Sequence, residues 1–276
     1  MLYFVATPIG NLEDCSARAL RVLREVSAIG AEDTRHTLAL LTHFQVRTPL
    51  FSFHQHNERQ RCDEIVARLR NGEHIAIVSD AGMPLISDAG HVLAARLHEE
   101  GLLYTCVPGA SAVETALVLS GLATATFQFL GFAPREKKER AALWAQLAHA
   151  PHTSVVFESP QRLGALLQDL AVRLPQRRLA VVREISKVHE ETRRGTAVEL
   201  AQHFSAQPPR GECVVVIEAA AAARPAATGA QIADPVAAVR TVEQLGGVSR
   251  ATAVKIVAAL TGVARNQLYA ETLHND

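Results

Sequence analysis

Three short stretches of the chain concentrate residues able to do chemistry. Glu32-Asp33-Thr34-Arg35-His36 and His54-Gln55-His56-Asn57-Glu58 are dense polar clusters, and Ser79–Gly90 (SDAGMPLISDAG) sets Asp80 and Asp88 among glycines and a proline. Carboxylates and imidazoles of this kind can accept a proton in a transition state. Gly82 and Gly90 let backbone approach a ligand closely, and Pro84 stiffens the turn. The simpler alternative for the third stretch is a polar loop with aspartate caps. His54 and His56 would share one face of a strand and could hold a metal there. No cysteine or third histidine stands near them, so no metal site is expected.

These clusters need a scaffold that brings them together. Each follows a short apolar run, 28–31, 50–53 or 74–78, of the kind that forms a buried strand. The runs alternate with helical patterns. One is expected after Ser16, with Leu20, Leu23 and Val26 on a face, others follow at 59–70 and 91–100, and another runs to Ser120. With strands at 2–6 and 102–107, this is an α/β sheet, whose ligands sit at the carboxyl ends of its strands. The pattern changes character near 121–126. Strands are then expected at 127–132, 153–157, 178–184, 190–194 and 212–218, with a charged loop at 133–140 and helices at 141–148, 162–172 and 196–204. Short polar connections predict antiparallel pairing in this half. The expected organisation is an α/β domain over 1–118, a mixed-sheet α/β domain over 119–219, an Ala/Pro/Gly/Thr linker over 220–231 and a helix-turn-helix-like domain over 232–276.

Composition excludes several classes. The 276 residues are 48% hydrophobic, yet no uncharged apolar run is long enough to span a membrane, and the N-terminus has no basic signal-peptide region. Four scattered cysteines form no C-x-x-C, which argues against a zinc or disulfide framework and for a cytosolic protein. The balance of 28 basic and 28 acidic residues hides an asymmetry. Residues 1–115 carry 10 Lys/Arg against 14 Asp/Glu, and residues 116–227 carry 14 against 10. A basic middle segment suits a polyanion; ordinary scatter would give a difference of the same size. There is no G-x-G, P-loop, H-E-x-x-H or G-x-S-x-G motif. Aromatic content of 5% argues against stacking-based RNA binding.

Five stretches taken together resemble one family: VATPIGNLED (5–14), AEDTRHT (31–37), SDAGMPLISDAG (79–90), VPGASAV (107–113) and FESPQRL (157–163). They are similar to the tetrapyrrole-methylase superfamily of S-adenosylmethionine enzymes and, within it, to the RsmI-type 16S rRNA cytidine 2′-O-methyltransferases. VREISKVHEETRRGTAVEL (182–200) and PRGECVVVIE (209–218) fit as well. The resemblance implies a two-domain class III methyltransferase fold with a small helical tail, homodimerisation, and S-adenosylmethionine in a cleft between the domains. Pro8, Asp80, Gly82, Met83, Pro84, Ile86, Ser111, Ala112 and Phe157 are the expected cofactor residues. The family's usual threonine is Met83 here, its usual tyrosine is His91, and two of its prolines are Ala89 and Ala110. Met83 removes a hydroxyl.

Transfer to a ribose hydroxyl needs a proton acceptor. Glu32 or Asp33 is expected to fill that role, with Arg35 holding phosphate. Asp33 or Thr34 would equally serve as a helix cap. His36, His54, His56, Asn57, Arg162 and Lys187 are expected to meet substrate, in 16S rRNA or the small ribosomal subunit. Other readings remain open: a porphyrinoid C-methyltransferase, or an RNA-binding assembly factor without turnover.

Overall fold

The computed structural model describes residues 1–220 and 234–274. The predicted linker therefore lies outside the described residues except for Ala220. Residues up to Ala220 form one compact unit and the later ones another.

The first sheet contains β1 (Leu2–Val5), β2 (Ala28–Ala31), β3 (Leu50–Ser52), β4 (Ile75–Val78) and β5 (Tyr104–Val107). Its order is β3-β2-β4-β1-β5, and every pairing is parallel. Parallel sheets are covered on both faces, so their central strands are apolar throughout. Leu2, Phe4, Ile75 and Ile77 face one core layer, while Val5, Ala76 and Val78 face the other. The covering helices are α1 (Ala17–Glu25), α2 (Thr34–His43), α3 (Glu58–Arg70) and α4 (His91–Glu99); α5 (Ala112–Ser120) follows β5 in the chain. Ser16 caps α1 by accepting the Ala19 N–H, and Asn71-Gly72 ends α3 with Gly72 at positive φ. Because the strands are parallel, the loops after β1, β2, β3, β4 and β5 all emerge at one edge.

The second sheet contains β6 (Phe127–Phe132), β7 (Thr153–Glu158), β8 (Arg178–Arg183), β9 (Glu191–Thr196) and β10 (Cys213–Ile217), in the order β6-β7-β10-β8-β9. Only β6 and β7 are parallel; β10, last in sequence, sits in the middle and pairs antiparallel with both β7 and β8. Helices α6 (Lys137–Ala148), α7 (Pro160–Arg173) and α8 (Ala197–Ala206) cover one face over a core that includes Trp144. The expected charged loop is shorter than predicted, because α6 already begins at Lys137. Its first turn, KKER, consists of good helix formers, and Glu139 there suits the helix dipole. The other face of this sheet is covered by α5: Val113, Ala116 and Leu117 pack against Val155, Ala180, Val182 and Val214. One helix thus closes the first sheet's chain and the second sheet's core.

The C-terminal unit is three helices: α9 (Pro235–Gly246), α10 (Arg250–Thr261) and α11 (Arg265–His274). They enclose Val239, Ala253, Val254, Val257 and Leu268. Gly247 and Gly262 end α9 and α10 in the left-handed conformation.

Candidate active site

The loop after β4 is the floor of the site. Thr7 and Gly82 exchange two backbone hydrogen bonds of 3.0 and 3.1 Å, which tie the loops after β1 and β4 together. The Thr7 hydroxyl also donates to the Ser79 carbonyl, and the Ser79 hydroxyl to the Gly82 carbonyl. Gly82 has φ +81°, a conformation that disfavours a side chain. Further along, Leu85 and Ser87 are non-glycine residues with φ near +70°. Such strain persists only where the surroundings hold it. It turns Ile86, Ser87 and Asp88 toward a cleft of about 370 Å³ between this loop and the second sheet.

The cleft is apolar along much of its length, with Ile9, Met83, Ile86, Phe132, Phe157 and Val214 in its walls. The Phe157 ring packs edge-on against Phe129 and Phe132, with centroids 4.7 and 5.5 Å apart. Ala112 and Val113 open the first turn of α5 onto the cleft. N–H groups in a helical first turn have no acceptor within the helix and suit a carboxylate. Cys213 also lines the cleft, but burial pushes its thiol up to about 11, so it is neutral wall rather than nucleophile.

The polar end holds Asp80 and Asp88, neither in an ion pair among the described residues. Asp80 accepts the Asp33 backbone N–H at 2.9 Å. Burial, followed by the charges of Glu32 and Asp80, raises Asp88 to about 6; a hydrogen bond from Ser79 offsets part of this. Burial and then Asp80 also raise Glu32, while His54 pulls it the other way. His54 Nδ1 is buried without a hydrogen-bond partner among the described residues. Like charges held together favour protonation of one member. Burial and the neighbouring carboxylates therefore favour the protonated form of Asp88 more than in an exposed aspartate.

Asp33 stands apart. It caps α2 through the Arg35 N–H and binds the Arg35 guanidinium at 2.8 and 3.1 Å. These bonds hold it well below the usual carboxylate range, which makes it a weak proton acceptor. His36 is exposed on α2. Asn57 closes the turn after β3, accepting the His54 N–H and donating to the Ser52 carbonyl; His56 is exposed in that turn. Arg162 forms an ion pair with buried Glu158 and donates to the Ala133 carbonyl. Lys187 bridges Glu184 and Glu212, each at 2.9 Å. Asp80, Gly82, Met83, Ile86, Ser111, Ala112 and Phe157 line the cleft; Pro8 and Pro84, also expected there, do not. The structure adds Asp88, Glu158, Glu212 and Val214 to the lining. Asp88 carries a sequence signal, as the second aspartate of the glycine-bracketed loop, and so does Glu158, which follows Phe157 in FESPQRL and is expected from that place to shape the cofactor slot rather than do chemistry. Glu212 and Val214 come from a distant strand and its approach, which nothing local connects.

Two sheets with a loop-floored cleft between them define a class, and comparison with known proteins agrees. The chain belongs to the family of tetrapyrrole (corrin/porphyrin) methylases, whose model matches residues 1–201. More particularly, it is 42% identical over 271 residues to "Ribosomal RNA small subunit methyltransferase I" of Synechocystis sp., covering 98% of this chain and 96% of that one. A protein of the same name from Halalkalibacterium halodurans is 42% identical over 270 residues, 97% of this chain and 93% of that one. The Thermotoga maritima protein of that name is 44% identical over 216 residues, 78% of this chain and 97% of its own length. Among solved structures, a cobalt precorrin-4 methyltransferase (TM-score 0.59, 17% identity, 79% of this chain and 94% of that one) shares the fold. So does a uroporphyrin-III C-methyltransferase from Thermus thermophilus (0.55, 22%, 78% and 93%).

Proposed function

We propose that this chain is an S-adenosylmethionine-dependent methyltransferase that modifies a cytidine ribose 2′-hydroxyl of 16S rRNA in the decoding centre of the small ribosomal subunit. The observation that carries this is the apolar cleft ending in an uncompensated carboxylate group. The relatives named as ribosomal RNA small subunit methyltransferases support the choice of substrate. A cleft of about 370 Å³ falls within the range of small-molecule sites, roughly 300–1,000 Å³. Its donor set also fits S-adenosylmethionine, with an apolar run for the adenosine and the α5 first turn for the carboxylate. When bound, that cofactor supplies an electrophilic methyl on a sulfonium.

The chain's own residues do the rest. The Thr7–Gly82 bridge fixes the floor, so the acceptor oxygen is held in line rather than found by diffusion. Asp88, with Glu32 beside it, accepts the 2′-hydroxyl proton as the oxygen attacks. Phe132 and Phe157 exclude water from the apolar wall. Asp33 and Arg35 shape the entrance, where the exposed guanidinium meets phosphate. A homodimer would cover Leu103 and Tyr104, which edge strand β5 leaves exposed. No helix of the described residues is long and apolar enough to cross a membrane, and ribosomal RNA as substrate places the enzyme in the cytoplasm.

The test is transfer of labelled methyl from S-adenosylmethionine to small subunits, naked rRNA and a precorrin mixture. Label in the rRNA, at a ribose that resists alkaline cleavage, is expected. Label only in the macrocycle sinks the proposal, and cofactor binding without transfer would point to an assembly factor.

A further inference from the structure

A second recess, of about 300 Å³, lies in the second sheet's half, where Arg183, Glu184, His189 and Glu191 face His203 and Arg210. We infer that this recess holds a backbone phosphodiester of the nucleic-acid substrate, next to the nucleotide that offers its hydroxyl to the cleft. This rests on the RNA reading above and deepens it.

Charge is the first argument. Both carboxylates in the recess are already paired. Glu184 takes the Lys187 ammonium, and Glu191 takes Arg183 and Arg193, each at 2.6 Å. Arg193 and then Arg183 hold Glu191 below the usual carboxylate range. The cationic side is not balanced in the same way. Arg183 uses its Nε on Glu191, and no described residue accepts from its terminal nitrogens. Arg210 is exposed and has no ion pair among the described residues, and no described side chain hydrogen-bonds to the rings of His189 or His203. An entering anion would meet guanidinium and imidazole donors, with both carboxylates of the recess held by cationic partners. Guanidinium groups suit phosphate oxygens because their N–H groups form a planar fork.

Position is the second argument. The recess and the cleft share a wall. Arg210 lines the recess and the next residues, Gly211 and Glu212, line the cleft; Glu184 lines the recess and Ile185 the cleft. The wall is rigid. Glu184 is held at φ +51° and accepts the Glu212 N–H at 3.0 Å, and its carboxylate occupies the space where a Cβ on Gly211 would stand, 1.9 Å away. A polymer crossing this wall places one group in the cleft and its neighbour in the recess.

The test uses Arg210→Ala and His189→Ala, both at exposed positions outside the cleft. Methyl transfer to small subunits or rRNA is measured against RNA concentration and salt, with cofactor affinity measured separately. The expected result is a KM for RNA raised about 10-fold in Arg210→Ala, with kcat and cofactor affinity unchanged. The slope of log affinity against log salt should fall by about one, and Arg210→Lys should restore it. An unchanged KM and salt slope would overturn the subsite, as would a parallel loss of cofactor affinity. Inorganic phosphate at constant ionic strength is expected to compete with RNA in the wild type and more weakly in Arg210→Ala; equal inhibition of the two, or none in the wild type, would also overturn it. Failure of the wild-type enzyme to methylate any RNA would instead sink the proposed function.

Discussion

The two sides of the cleft in the Met1–Ala220 unit treat charge in opposite ways. At the first sheet's carboxyl edge, Glu32, Asp80 and Asp88 crowd together with no ion pair among them, and two of the three are pushed upward. Around the second sheet, Arg162–Glu158, Arg183–Glu191, Arg193–Glu191 and Lys187–Glu184 are closed pairs. Unpaired like charges make a titrating group; paired charges make a wall. The first arrangement suits a step that moves a proton, and the second suits a surface that must keep its shape while a polyanion binds.

Removing the titrating carboxyl should have the largest effect. Asp88→Asn is expected to slow single-turnover methyl transfer about 100-fold or more; retention of full turnover would remove Asp88 as proton acceptor. In the wild type the rate should rise with pH through about 6, as Asp88 ionises. Glu32→Gln takes away a neighbouring negative charge, so that midpoint should move to lower pH, with a smaller loss of rate near neutrality. A midpoint that stays in place would uncouple the two groups.

On the walled side, Gly211→Ala forces a Cβ into the Glu184 carboxylate at φ +81°. Thermal unfolding should show a loss of about 1–3 kcal/mol, and an unchanged Tm would mean that the Glu184 side chain yields. Asp88 binds its proton more tightly folded than unfolded, so its own contribution to stability is fully present below the ordinary aspartate value and is lost as pH rises through about 6. Asp88→Asn should therefore have the higher Tm above pH 6 and match the wild type near pH 4. The smallest effect is expected for Asp33→Ala, which removes the α2 cap and the Arg35 pair. A small fall in Tm with turnover retained fits its place outside the titrating group, whereas loss of turnover would return Asp33 to the chemistry.

Much of the scaffold was legible in the sequence because its signals are local. The apolar runs of β2 and β6, the Ser16 cap and the Asn71-Gly72 stop are each contained within a few residues. The sequence also named the chemistry-bearing clusters. It could not assign their partners. Whether Arg162 meets phosphate or Glu158, and whether Lys187 is free or bridges Glu184 and Glu212, depends on side chains that meet only after folding. Asp33 and Asp88 illustrate the same limit. As residue types they are identical; a neighbouring Arg35 lowers one, and burial beside two carboxylates raises the other.

The Thr7–Gly82 bridge also has a kinetic consequence. It is an antiparallel bridge that ties together the loops just beyond β1 and β4. The floor of the cleft therefore cannot lift without breaking both of its hydrogen bonds, and the Thr7 and Gly82 amide protons should exchange with solvent more slowly than those of the rest of these loops. Any widening of the cleft would then fall to the opposite wall, where Phe132 of β6 and Phe157 of β7 line it.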